Sequence, residues 1–263
     1  MKGTSHRILN YAIILLLSVS CSPDKRGLEA PDQPCRIAEI TLDRQVIEQE
    51  GDTTDAGMAG FDRYEYDEEG RIVRHRFASF PKGRPLPPQE TRYEYADGKL
   101  QVFTAANPDT PAQSYTLNAQ GLWTAPERKY DAKGFILEEK NETGALLRYT
   151  YANGNAVRVE SQGVHPETGP YTALNEFEYD LSRPNLPDLT PHLGRKSVNL
   201  PVRCLFTNTN PAGRTRILYE YRYRFLPDGQ VAQRTTIQKL LGPDGSTPIS
   251  TVTTVKSYSI TCR

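Results

Sequence analysis

The sequence predicts an all-β protein: a large antiparallel meander of consecutive hairpins, curled or rolled into a barrel-like sheet. Three observations predict it. One phrase recurs, two aromatics flanking a single residue and then a turn that closes on glycine. No amphipathic helix of three turns can be drawn anywhere along the chain. Apolar residues make up only 37% and mean hydropathy is −0.61, which suits a curved sheet with a wet outer surface better than a thick two-layer core.

The phrase reads Tyr64-Glu65-Tyr66-Asp67-Glu68-Glu69-Gly70, then Tyr93-Glu94-Tyr95-Ala96-Asp97-Gly98, then Tyr149-Thr150-Tyr151-Ala152-Asn153-Gly154. Tyr221-Arg222-Tyr223-Arg224-Phe225 running into Pro227-Asp228-Gly229 repeats it, with weaker echoes at 115–121, 130–134 and 177–180. Residues i and i+2 of a strand share a face, so each aromatic pair projects together. Asp67/Gly70, Asn118/Gly121 and Asp131/Gly134 fit positions i and i+3 of a type I turn. Asp97-Gly98 and Asn153-Gly154 suit two-residue type I′ loops, where both residues need positive φ. Pro227 and Pro243 precede Asp228-Gly229 and Asp244-Gly245 at the position where a fixed φ favours a type I turn. The turn glycines are therefore Gly70, Gly98, Gly121, Gly134, Gly154, Gly229 and Gly245. The tyrosines recur with the strand period rather than clustering at turns, which favours a cross-strand ladder over a ligand-stacking platform.

In chain order, Cys35–Leu42 reads as a first strand and the acidic stretch 43–60 as a loop. Hairpins follow at 61–78, 91–104, 113–125, 127–140 and 145–162. Residues 81–89 carry four prolines, so they are extended and unsuited to a central strand. A strand covers 173–180. Ser182–Arg203, with prolines at 184, 187, 191 and 201, is the longest irregular stretch, of the kind that is functional or mobile; 186–193 has room for a single helical turn. Strands at 214–226, 230–241 and 248–262 complete the chain.

The N-terminus sets the expected location. A basic start precedes an apolar run over 8–19 that is short for a membrane span. The run ends in Leu17-Ser18-Val19-Ser20-Cys21, which resembles a bacterial lipoprotein signal with its leucine one step early. That resemblance implies a signal peptide over 1–20, lipidation of Cys21, a flexible tether over 21–34 and one repetitive β domain over 35–263. The membrane is then a partner through an acyl anchor, in a cell envelope, at the outer membrane on its periplasmic or surface face. No acidic run follows Cys21, which leans the expectation towards the periplasm. Charge is balanced, 32 basic against 32 acidic residues, so nucleic acid is not expected as a partner. Of Cys35, Cys204 and Cys262, two can form a disulfide outside the cytoplasm; Cys35–Cys262 would join the ends of a rolled sheet, and Cys35–Cys204 is the competing pair.

The Tyr-x-Tyr-Asp-x-x-Gly-Arg phrase at 64–71 is similar to the YD repeats of Rhs- and teneurin-type shells. The whole arrangement resembles secreted lipoproteins of Bacteroides-type bacteria that carry an uncharacterised domain with a porin-like β-fold. Three features carry that likeness. They are the lipidation signal, the serial hairpins, and Phe177-Glu178-Tyr179-Asp180 with Arg183-Pro184-Asn185 leading into 193–201. It implies a large rolled meander with no established enzymatic role. Asn185-Leu186 departs from the Asn-Pro that the family tends to carry.

No nucleophile elbow, phosphate loop, dinucleotide fingerprint or zinc-protease motif is present. The spacing of Cys and His fits no zinc pattern, and neither a metal nor a cofactor is expected. His75 lies among arginines and reads as a solvated face residue; His165 and His192 read as loop residues. Glu138 and Glu139 are adjacent on a strand and so face opposite ways, which does not suit a glycosidase pair. Trp123, the only tryptophan, is a possible stacking anchor as well as a core residue. An embedded membrane barrel is disfavoured because 71–76 mixes charge into both faces. The expected function is a non-catalytic envelope lipoprotein, a β-scaffold that binds a ligand or an unidentified envelope protein through 182–203 and its open sheet edges. The alternative is a glycan-binding or glycan-active accessory using exposed Tyr and Trp123.

Overall fold

A computed structural model describes residues 35–262 except 82, 83, 85, 142 and 168. The expected signal peptide over 1–20, Cys21 and the expected tether over 21–34 lie outside the described residues. The first half of the chain supplies β1 (Cys35–Gln49), β2 (Asp52–Asp55), β3 (Met58–Tyr66), β4 (Ile72–Pro81), β5 (Gln89–Ala96), β6 (Lys99–Thr104) and β7 (Gln113–Thr116). The second half supplies β8 (Lys129–Tyr130), β9 (Ile136–Lys140), β10 (Leu146–Ala152), β11 (Asn155–His165) and β12 (Gly169–Pro184). After a 3₁₀ turn at Pro191–Leu193 come β13 (Asn199–Asn210), β14 (Gly213–Phe225), β15 (Val231–Leu241) and β16 (Pro248–Cys262).

All sixteen form one antiparallel meander in the order β7-β6-β5-β4-β3-β1-β16-β15-β14-β13-β12-β11-β10-β9-β8, with β2 beside β1. The first and last strands therefore pair in the middle of the sheet, from Cys35↔Cys262 to Gln49↔Ser250. A disulfide links Cys35 to Cys262 across 227 positions of sequence, while Cys204 is free and buried. Burial alone pushes the Cys204 thiol up to about 11. The sheet does not close by hydrogen bonding: its two edges, β7 and β8, are consecutive in sequence and leave a seam between them.

Alternation sorts the side chains. Tyr64, Tyr66, Tyr93, Tyr95, Tyr149, Tyr151, Tyr221 and Tyr223 are half-buried on one face, while Arg63, Glu65, Arg92, Glu94, Arg148, Arg222 and Arg224 are exposed on the other. The tyrosine face is the inner one, because Tyr115 of β7 and Tyr130 of β8 both reach Trp123 across the seam on it. Burial lifts Tyr66, Tyr95, Tyr151 and Tyr221 to about 12. The outer face is tiled with ion pairs: Arg63–Glu39, Arg74–Glu65, Arg76–Glu90, Arg92–Glu94, Arg148–Glu138 and Arg203–Glu178. Exposed pairs contribute little stability, about 0–1 kcal/mol each, but they make the wall polar.

Three of the repeated aromatics close gaps in the ladder. Tyr66 donates its hydroxyl to the Ile37 carbonyl at 2.7 Å, Tyr179 to Ala156 at 2.8 Å and Tyr223 to Pro201 at 2.9 Å. Each acceptor sits beside a register shift: Ile37/Glu39 in β1, Arg158/Ala156 in β11 and Arg203/Pro201 in β13. On the other side of each acceptor strand, the ladder to the tyrosine's own strand ends at Glu39↔Arg63, Arg158↔Glu176 and Arg203↔Glu220, and the second aromatic of the phrase reaches a carbonyl beyond that end.

The turn glycines Gly70, Gly98, Gly121, Gly134, Gly154, Gly229 and Gly245 all carry φ between 70° and 86°. Asp97 and Asn153 have φ of 52° and 51°, so both two-residue loops need the left-handed region at both positions. At Gly154 a Cβ would also meet Val198 at 3.1 Å. A further Asn-x-x-Gly turn at Asn141–Gly144, absent from the sequence reading, uses the same chemistry: the Asn141 carboxamide accepts from the Thr143 and Ala145 amides.

Three expectations are corrected. Residues 43–60 are a hairpin and not a loop, because β1 runs on to Gln49 and turns at Glu50-Gly51, with φ of 52° and 89°. The hairpin expected over 113–125 reduces to β7 and one bridge, Leu117↔Trp123. The irregular stretch shrinks to 185–198, since β12 extends to Pro184 and β13 begins at Asn199.

Gly98→Val and Gly154→Val should each destabilise by about 1–3 kcal/mol, Gly154→Val the more, read as a lower melting temperature. Tyr223→Phe should cost about 1 kcal/mol by stranding the Pro201 carbonyl. Cys35→Ser should cost about 2–5 kcal/mol, measured by urea unfolding under non-reducing conditions.

Candidate functional site

The seam is where the sheet's two free edges approach, and it carries a cluster of polar and aromatic side chains. After β7 the chain reverses around Gly121, and the Thr124 amide and hydroxyl donate back to the Thr116 carbonyl at 2.8 and 3.0 Å. This places Trp123, half-buried, between the edges. Its amide donates to the His192 carbonyl at 2.8 Å, and its carbonyl accepts from the Tyr130 hydroxyl at 3.0 Å. Tyr115 of β7 meets the indole edge-on, with centroids 4.9 Å apart and planes at 82°. The Arg128 guanidinium lies over the indole at 4.5 Å.

Arg128 also ties the seam to the second half of the sheet. It pairs with Glu139 of β9, and the two side chains are 10% and 14% exposed. It donates further to the Leu193 carbonyl at 3.1 Å. Glu139 accepts from the Tyr149 hydroxyl as well, and that bond, after burial, raises the Tyr149 pKa. Glu138, one residue away, faces out and pairs with Lys129 and Arg148. The two carboxylates thus point to opposite faces and neither stands free.

Between the edges lies a cleft of about 760 Å³, lined by Gln113, Tyr115, Trp123, Arg128, Glu139 and Asn141 among others. A second cleft of about 390 Å³ opens towards the rim, between the Gly98 and Gly121 turns and His192. Segment 185–198 forms the lid of this end. The Arg195 amide donates to Gly134 at 2.9 Å and the Val198 amide to Gly154 at 3.2 Å. Asn155, 1% exposed, exchanges hydrogen bonds with Asn199, and Ser197 binds both the Ala156 amide and the Tyr179 hydroxyl. The long stretch expected to be free for partners is therefore a strap that holds the turns of the second half together and supports Trp123.

The histidines divide. His192 is buried, and burial, then the positive charges of Arg128 and Lys196, lower it to about 4, so it is neutral at pH 7. Its ring lies 5.4 Å from Tyr115. His75 corrects the expectation of a solvated residue. Arg74 and Arg76 face out while His75 faces in, stacked on Tyr64 at 4.7 Å and bonded to Asp62 at 2.9 Å. His165 is exposed at the end of β11. Among the described residues no group of three or more His, Cys, Asp or Glu is placed to hold a metal ion. Arg128, the centre of the seam, was missed in the sequence; nothing in Glu127-Arg128-Lys129 marks it out from a surface charge run.

No protein-family model matches the chain, and comparison with curated proteins finds no match. Among solved structures it is similar to a porin-like protein from Bacteroides uniformis ATCC 8492, with a TM-score of 0.57 and 17% identity over 86% of this chain and 98% of that one. A porin-like protein from Bacteroides vulgatus ATCC 8482 matches with a TM-score of 0.33 and 10% identity, over 83% of this chain and 97% of that one. The first of these likenesses shows a porin-like β-fold.

A depressed histidine binds protons more readily when unfolded, so its contribution is intact above about pH 6.5 and is lost as pH falls towards 4. Acidification from pH 7 to pH 5 should cost up to about 2 kcal/mol through His192. Burial raises the Asp188 pKa, an effect of opposite sign that sets in from the carboxylate range. His192→Gln should flatten the fall of melting temperature between pH 7 and pH 5; an unchanged slope would remove His192 as its source.

Proposed function

We propose that this chain is a non-catalytic lipoprotein of a bacterial envelope, a β-scaffold that binds a ligand or a partner protein at the seam. The observation that carries the reading is the cleft between β7 and β9, where two sheet edges, an indole and a buried ion pair converge on one opening. A cleft of this kind, apolar with a few fixed polar groups, is a binding geometry. The engaged state of Glu138 and Glu139 supports a binding role over hydrolysis, since a general acid needs a carboxyl free to hold and release a proton.

The outer wall supports attachment by an anchor rather than insertion. Outward residues of a transmembrane barrel form an apolar band, whereas here Arg63, Glu65, Arg76, Glu90, Arg92 and Glu94 face out. Acylation of Cys21 would tether such a domain at an outer membrane through chain 22–34. On this reading Cys21→Ser abolishes incorporation of a palmitate analogue and moves the protein to the soluble fraction; retention of label would refute it.

A second reading, a glycan-binding accessory, draws on Trp123 with Tyr115 and the Arg128–Glu139 pair, the residue types that stack on sugar rings and bond their hydroxyls. A glycan array on residues 22–263 tests it. A polysaccharide signal that drops at least tenfold in Trp123→Ala favours this reading, and a blank array leaves a protein partner.

A further inference from the structure

The inner wall carries a second feature, at the middle of the sheet and furthest along the strand order from the seam. Arg234 of β15 and Lys256 of β16 are directly opposed in the antiparallel register, so both side chains stand on the tyrosine face as a like-charge cross-strand pair. Such a pair is unfavourable in an isolated sheet. Nothing among the described residues relieves it: neither side chain has a carboxylate partner or a hydrogen bond. The Nε of Arg234 is buried without a partner. Arg74 and Arg216 also have a buried Nε without a hydrogen bond, but Arg74 is ion-paired with Glu65 and, through that Nε, with Glu90, and Arg216 donates to the Gly245 carbonyl. The guanidinium of Arg234 lies 5.9 Å from the ring centroids of both Tyr221 and Tyr258.

We propose that Arg234 and Lys256 form a binding site for an oxyanion, a carboxylate, sulfate or phosphate group, on the inner wall. Arg234 supplies a planar fork of donors suited to two anion oxygens, and Lys256 supplies a compact second charge. The half-buried tyrosines around them lower the local polarity, which strengthens attraction to an anion. Tyr223, opposite Arg234 in β14, keeps its hydroxyl on the Pro201 carbonyl and so lends its ring rather than a donor. Binding would neutralise the repulsion between the two cations. The site is independent of the seam.

The test uses the domain over residues 22–263 in low-salt buffer, with melting temperature and calorimetry as readouts. Sodium sulfate, sodium phosphate and sodium glucuronate are titrated, with sodium chloride at matched ionic strength and neutral glucose as controls. Wild type should show a saturable rise in melting temperature with at least one of the three anions. Arg234→Gln and Lys256→Gln should each weaken binding at least tenfold. A response to glucuronate alone assigns a sugar acid, and one to sulfate or phosphate assigns a tetrahedral oxyanion; either supports the site. Without anion, Lys256→Gln should melt about 1–3 °C higher, because it removes the repulsion; this arm holds even where Arg234→Gln fails to fold. Trp123→Ala should leave the anion response unchanged, so a failure of the seam reading does not touch this one. No saturable response to any of the three anions, a response that survives both substitutions, or a lower melting temperature for Lys256→Gln overturns the proposal.

Discussion

Everything in this sheet depends on the pairing of its first strand with its last. β1 and β16 are in register from Cys35↔Cys262 to Gln49↔Ser250, and no other ladder joins β1–β7 to β8–β16. Without it the chain would be two shorter meanders, each with a second unprotected edge. The contact is also the most distant in sequence, so its loop-closure entropy is the largest that any ladder of this sheet must offset. The Cys35–Cys262 bond removes part of that entropy from the unfolded chain. It stands at the end of the sheet where the tyrosine-bearing turns also gather.

A single-layer sheet has no second layer to bury its apolar face, and this one solves the problem with aromatics. Fully buried side chains are few, Ile37, Leu100, Leu200 and Asn155 being the largest. Stability has to come from many half-buried rings, each covering a neighbouring strand and keeping a hydroxyl for a carbonyl or a carboxylate. Tyr66, Tyr179 and Tyr223 show why tyrosine suits the second aromatic position. Phenylalanine would cover the same surface but leave Ile37, Ala156 and Pro201 with carbonyls unpaired. The repeat is a packing and hydrogen-bonding device before it is anything else.

Local chemistry was legible in the sequence and long-range chemistry was not. The meander could be read because Asp97-Gly98, Asn153-Gly154 and the Asx-x-x-Gly turns act within four residues. The turn at Glu50-Gly51 was hidden because glutamate rarely occupies the left-handed region, so an ordinary hairpin read as an acidic loop. Segment 185–198 looked loose because its partners, Gly134, Gly154 and Trp123, are far away in sequence. His75 was misjudged from its neighbours: strand alternation sends Arg74 and Arg76 out and the imidazole in. The disulfide had two candidate pairings because the choice rests on which strands become neighbours, information carried by the whole topology.

The position of the seam has its own consequence. A rolled sheet usually exposes its chain ends where the roll fails to meet, so that spreading the lips pulls the termini apart. Here the termini are riveted in mid-wall, and the lips are joined by the continuous backbone of 117–128. Dilation along that line breaks no ladder, only contacts such as those of Trp123 with His192 and Tyr130 and of Gln120 with Ala132, and the covalent loop limits how far it can travel. The rolled sheet behaves as a split ring whose open slit is bridged by its own thread.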